Sequence, residues 1–167
     1  LFMFDENNDN IIENTVLDGE NSHNLINFVN SQVSLIGLTM QNGNGGAEGG
    51  AIYSNYSNID YSNVIFSGNN AQYDGGAIYM TNGNNSANYS SFFKVTFNNN
   101  SSSVYGGAVT GSGMQNITFN NCNFINNSAP TGPAIYLRNN NYLDMRNSII
   151  WSNSIPSIAL DDNVNAD

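Results

Sequence analysis

The chain has 167 residues, among them 35 Asn, 19 Ser and 16 Gly, yet 40% of it is apolar and 11% aromatic, values that exclude a disordered linker. Three basic residues against 13 acidic ones give a net charge of −10, and so few cations cannot neutralise a track of phosphates. That excludes nucleic acid as a partner and leaves a neutral or cationic partner, a divalent metal, or another copy of the chain.

In chain order, the first element is the apolar, strand-like Leu1-Phe2-Met3-Phe4, which reads as the start of a mature or excised piece of a longer protein. No 18-residue apolar run follows, so no helical membrane insertion of this segment is expected. Next, Asp5, Asn7 and Asp9 alternate as oxygen ligands do in a calcium loop, although the closing acid is missing because the twelfth position is Val16. The competing reading is a solvated acidic turn. Calcium is the one cation the sequence offers, and no cofactor motif is present.

From residue 33 to residue 153 two short strings recur in the same order. One is Gly-Gly-Ala-Ile at residues 49–52 and 75–78, with Gly-Gly-Ala-Val at 106–109 and Gly-Pro-Ala-Ile at 132–135. The other is Phe-x-x-Asn, pairing Phe66 with Asn69, Phe97 with Asn100 and Phe124 with Asn127, with Ile150 and Asn153 as a variant. From Met40, Phe66, Phe97 and Phe124 to the next motif alanine the steps are 11, 11, 11 and 10 residues; the return steps are 15, 20, 16 and 16. One arm is nearly fixed and the other absorbs an insertion within the Asn-rich stretch from Thr81 to Ser90, which describes one solenoid coil of roughly 26 residues per repeat.

Ile59-Asp60-Tyr61, Val64-Ile65-Phe66, Ile117-Thr118-Phe119 and Leu143-Asp144-Met145 alternate with period two, and no useful helical window is free of Asn and Gly. Each coil therefore reads as three short strands, and the expected fold is all-β: a right-handed parallel β-helix of five to six coils. One domain over 1–167 is expected, with N-terminal coils in 1–32, repeat coils in 33–153 and a C-terminal coil or tail in 154–167.

Superposing the copies gives columns. Phe66, Phe97, Phe124 and Ile150, the residues two and five before them, and Ile52, Ile78, Val109 and Ile135 are expected to point inward. Ala51, Ala77, Ala108 and Ala134 would then lie on the opposite face. Asn69, Asn100, Asn127 and Asn153 are expected to share amide hydrogen bonds from coil to coil, and Asn63, Asn121 and Asn147 to form a second such ladder interrupted by Lys94.

These Gly-Gly-Ala-Ile and Phe-x-x-Asn repeats resemble those of the chlamydial polymorphic outer membrane proteins and of similar adhesin-like β-helix proteins on bacterial and archaeal surfaces. Thr15-Val16-Leu17-Asp18-Gly19 and Asn147-Ser148-Ile149-Ile150-Trp151-Ser152-Asn153 look like first and last coils of such proteins. The resemblance implies an extracellular or cell-surface location and a structural or adhesive role, with a glycan or a host or cell-surface protein as partner.

The outward column Tyr53, Tyr79, Tyr136, with Thr110 between, is the candidate contact stripe; its rings either stack on a ligand or pack on one another. Self-stacking of coil ends into a filament is the competing structural function. Polysaccharide cleavage is the enzymatic alternative, but Asp60 and Asp144 lie three coils apart, on the order of 14 Å, beyond the roughly 5 to 9.5 Å that glycoside hydrolysis uses. Cys122 reads as a small core residue and His23 as a surface one.

Overall fold

The structure, a computed structural model, describes residues 15–82, 88–113, 115–139, 141–161 and 164–166. Among these every regular element is a strand and every pairing is parallel. Stacked strands form three six-stranded sheets and a solenoid of about six turns, each roughly 26 residues long. The first sheet holds Thr15–Asp18, Leu38–Gln41, Ile65–Ser67, Thr96–Asn98, Asn123–Ile125 and Ile149–Trp151. The second holds Gln32–Ile36, Asn58–Ser62, Asn88–Phe93, Gln115–Asn120, Tyr142–Arg146 and Asn165–Ala166. The third holds Ile26–Val29, Ile52–Asn55, Ile78–Thr81, Val109–Ser112, Ile135–Arg138 and Ile158–Leu160. The insertion leaves the register intact, since Thr81 still pairs with Ser112 and Asn88 with Gln115.

Strand alternation sends one residue in and the next out, so residues one turn apart meet inside the coil stack. Tyr61, Phe92 and Phe119 stack with ring centres 4.4 and 4.6 Å apart, and Phe66, Phe97 and Phe124 with centres 5.1 and 4.8 Å apart. Each such pair contributes about 0.5–1.5 kcal/mol beyond the area it buries. Ile52, Ile78, Val109 and Ile135 fill the same core. Ala51, Ala77, Ala108 and Ala134 do so as well, each fully buried. The opposite-face expectation for them is corrected: they sit at the bend that leads into each third-sheet strand, and they face the core.

The corners account for much of the composition. Asn42, Gly68, Asn99, Asn126 and Ser152 share one left-handed corner, and Gly49, Gly75, Gly106 and Gly132 another. Asn30, Tyr56, Gly113 and Asn139 occupy a third, and Gly37, Asn63, Lys94, Asn121 and Asn147 a fourth. Glycine and asparagine tolerate this backbone best. Asn63, Asn121 and Asn147 are turn residues: Asn63 and Asn121 bond to Ser62 and Asn120 beside them, and Asn147 Nδ2 reaches one turn back to Asn120 Oδ1 at 3.4 Å, a neighbour of the expected ladder column rather than a member of it. Lys94, with φ of 54°, is the misfit of its corner. Lys94→Asn is expected to stabilise the fold by about 0.5–1 kcal/mol, read as a higher urea midpoint at unchanged slope.

The second glycine of the motif serves a different purpose. A Cβ on Gly50, Gly76 or Gly107 would lie 2.0, 2.1 or 2.5 Å from the carbonyl oxygen of the equivalent residue one turn on, so the coils stack this closely only because no side chain intervenes. In the last copy Gly132 keeps the left-handed φ of 57°, but the Ala108 N–H donates to the Pro133 carbonyl at 3.0 Å, whereas Ala51 and Ala77 donate to the carbonyl of the next motif alanine.

Asn69, Asn100 and Asn127 are buried one above another beside the aromatic columns. Asn100 Oδ1 accepts both the backbone N–H (3.1 Å) and Nδ2 (2.9 Å) of Asn69, while Asn100 Nδ2 donates to the Phe66 carbonyl (3.1 Å) and to Asn127 Oδ1 (3.0 Å). Asn127 repeats the arrangement with Phe97 and Asn153, and Asn153 Nδ2 reaches the Phe124 carbonyl at 2.9 Å. A second polar column, not anticipated, lines another corner through Ser57, Asn88, Gln115 and Asn141. There the Ser31 N–H donates to Ser57 Oγ at 3.1 Å and the Gln115 N–H to Asn141 Oδ1 at 3.0 Å.

Candidate functional site

The outward column of the third sheet runs Asn27, Tyr53, Tyr79, Thr110, Tyr136 and Ala159. Beside it the residues preceding each glycine motif form another column, Glu48, Asp74, Tyr105 and Thr131, joined by parallel bridges. This second column folds against the tyrosines. Tyr53 stacks on Tyr79 with ring centres 5.7 Å apart, and Tyr105 stacks on Tyr136 at 4.4 Å. Tyr79 and Tyr136 are left only 6% and 4% exposed, so of the three candidate stripe residues Tyr53 alone keeps appreciable surface.

Arg138 ties the cluster together. Its Nη2 lies 2.9 Å from Asp74 Oδ2, and its Nε donates to Ser112 Oγ at 3.2 Å. The guanidinium carbon sits 5.7 and 5.8 Å from the Tyr105 and Tyr136 ring centres, a cation over two aromatic rings. Arg138 and Asp74 are two turns apart and in neighbouring columns: Arg138 follows Ser112 and Thr81 in its own, and Asp74 has Tyr105 on the intervening turn of the other. Tyr136 Oη donates to Asp161 Oδ2 at 2.6 Å, and burial together with that carboxylate pushes its pKa up to about 12.

Burial, and then the charge of Asp74, push the Glu48 carboxyl upward; burial pushes Asp74 upward too, against the pull of Arg138. A carboxyl whose folded pKa is raised binds protons more tightly in the folded state, so its stabilisation is complete below the unfolded value near 4 and is lost as pH rises through the folded value. Asp18, fully exposed and held down by Gln41, acts in the opposite sense. Melting temperature is expected to rise as pH falls through the raised folded values of these carboxyls towards about 4 at constant salt, with a shallower slope in Glu48→Gln.

At one end of the tyrosine stack the next position is Asn27, too short to continue it. A depression of about 310 Å³ lies there, lined by Asn24, Asn27, Gly45, Ala47, Glu48 and Tyr53. One aromatic ring, two side-chain amides and one carboxylate can stack on an apolar ring face and exchange hydrogen bonds with hydroxyls or amides. The signal in the sequence was the residue just before each Gly-Gly pair, a column that reads Glu, Asp, Tyr, Thr.

The other candidates fall elsewhere. Asp5, Asn7 and Asp9 lie outside the described residues, and among the described residues no three of His, Cys, Asp or Glu are grouped to hold a metal ion. Asp60 and Asp144 share a column with Ser91 and Thr118 between them, and Asp144 is paired with Arg146 at 2.7 Å. Cys122 is buried, its thiol pushed up by burial, with Sγ 3.4 Å from the Phe92 carbonyl. His23 is exposed. No helix among the described residues is long and apolar enough to cross a membrane.

Residues 63–81 and 94–112 each match the family model of the Chlamydia polymorphic membrane protein repeat. Each match runs from a left-handed corner through the anchor Phe, the ladder Asn and the glycine motif to the end of a third-sheet strand. No curated protein and no solved structure matches the chain. The repeat comes from a family of non-enzymatic surface proteins, and on a parallel solenoid it suggests a surface adhesin-like module. The chain is a parallel β-solenoid that carries the Chlamydia polymorphic membrane protein repeat in two copies.

Proposed function

We propose that this solenoid is an adhesive module displayed at a cell surface, and that it holds a neutral glycan or the surface of a partner protein through the depression at Tyr53. The observation that carries this reading is the unfinished ring stack: Tyr79 supports Tyr53 from one side, and the other side opens on amide and carboxylate groups. A ring stacked there continues the column and meets a surface already rigid, so little conformational entropy is lost on contact. The few cations of the chain fit a partner recognised by hydrogen bonding and stacking rather than by anionic charge.

Tyr53→Ala removes the stacking surface while leaving the inward-facing residues Ile52 and Ser54 in place. Binding of the full chain to immobilised neutral glycans and to cell-surface protein extracts, measured by biolayer interferometry, is expected to weaken at least tenfold in Tyr53→Ala. Equal binding by both forms, with equal melting temperatures, would overturn the assignment of the contact to Tyr53.

Head-to-tail assembly is the second reading. Strands Ile149–Trp151, Ile158–Leu160 and Asn165–Ala166 are terminal members of their sheets. Such edges are templates for a further strand.

A further inference from the structure

The outward face of the second sheet carries a slot of its own. Register places Ser91, Thr118 and Asp144 in one column and Phe93, Asn120 and Arg146 in the next. The middle turn contributes Thr118 and Asn120, which line a depression of about 180 Å³ between the first and third turns. One wall is the Phe93 ring, 39% exposed; the other is the Asp144–Arg146 pair, held by contacts of 2.8 and 2.7 Å. Because neighbouring strands are about 4.8 Å apart, the backbones beneath the two walls are roughly 10 Å apart, one turn's width on either side of the middle turn.

From this geometry we infer that the slot binds a single neutral sugar ring. The volume is below the roughly 300–1,000 Å³ of drug-sized pockets, which limits the occupant to about one ring. Phe93 offers an apolar face to the C–H face of a pyranose. Ser91, Thr118 and Asn120 offer hydroxyl and amide groups, and Asp144 offers carboxylate oxygens, to the ring hydroxyls. The chemistry favours a neutral ring over a uronate: Arg146 is already compensated by Asp144, so an acidic sugar would have to displace that carboxylate in a chain of net charge −10. Lys94, 5.1 Å from the Phe93 ring centre, is the other cation nearby. This site lies on a different sheet from Tyr53 and does not rest on the assignment made there.

The test is saturation-transfer NMR on the full chain with methyl glycosides of glucose, galactose, mannose and N-acetylglucosamine, and with glucuronate and galacturonate. At least one neutral glycoside is expected to receive saturation, with the signal falling at least fivefold in Phe93→Ala and in Thr118→Phe, which fills the slot from its base. Ile65→Ala, an exposed position on the first sheet, should leave that signal unchanged, and unaltered circular dichroism should show each variant folded. Absence of transfer to every neutral glycoside, transfer that survives both slot variants, or transfer that falls equally in Ile65→Ala would each overturn the inference; transfer to the uronates lost in Phe93→Ala would overturn its neutrality.

Discussion

Gly76→Ala is expected to destabilise the solenoid by more than about 4 kcal/mol, a loss that places it among the severe single substitutions. Its Cβ would lie 2.1 Å from the Gly107 carbonyl oxygen and 2.3 Å from that of Ser101, both backbone atoms of the next turn. Neither can swing aside as a side chain would; relief requires the two turns to separate, breaking ladder hydrogen bonds on all three sheets. Gly46→Ala supplies the control. Its φ of 61° makes alanine costly, but no atom lies within 4 Å of the added carbon, so a loss of only about 1–2 kcal/mol is expected. Chemical denaturation of both variants separates a stacking constraint from a backbone preference. Similar losses in the two would show that close stacking is not what the second glycine protects.

Asn100→Ala is expected to cost about 3–5 kcal/mol. The asparagine is fully buried, and its removal takes away the acceptor of the Asn69 N–H, one donor to the Phe66 carbonyl and the partner of the Asn127 amide. Buried polar groups left unpaired cost about 1–3 kcal/mol each, which is why the loss exceeds that of one ordinary hydrogen bond. Asn100→Asp keeps an acceptor but loses the amide donor and introduces a buried charge, so its stability should recover as pH falls and the carboxyl protonates. Asn116→Ala, at an exposed position, should change stability by no more than about 0.5 kcal/mol. Urea unfolding of the three variants checks these values together.

The fold was legible because a repeat writes its register into the sequence. The step from Phe66 to Phe97 to Phe124 names residues that share a column, and period-two alternation names the strand. What the period does not encode is the path of the segment between ladder Asn and glycine motif. That segment carries Glu48, Asp74 and Tyr105 onto the tyrosine column and covers most of it, so a stripe outward by strand parity is only in part outward in space. Nor does the period distinguish two kinds of asparagine column. Asn69 and Asn63 recur equally regularly, yet one is a buried ladder and the other a left-handed corner; the difference is the backbone dihedral. Lys94 within the Asn63 column was the available clue, since a lysine fits a corner but not a buried amide ladder. The alanine of the glycine motif was missed because strict alternation does not hold where the chain turns.

Taken together, these columns divide the surface-poor chemistry of the chain into scaffold and contact. Asparagine and glycine shape corners and seal the interior, and the contacts proposed at Tyr53 and Phe93 draw on outward-facing side chains that this scaffold holds in place. The most direct test of that division is hydrogen exchange of the side-chain amides, followed by NMR on uniformly labelled protein. The Nδ2 protons of Asn69, Asn100 and Asn127 should exchange only through global unfolding, orders of magnitude more slowly than that of exposed Asn116. Exchange of the three at the rate of Asn116 would contradict the buried ladder and, with it, the structural role assigned to the asparagine excess.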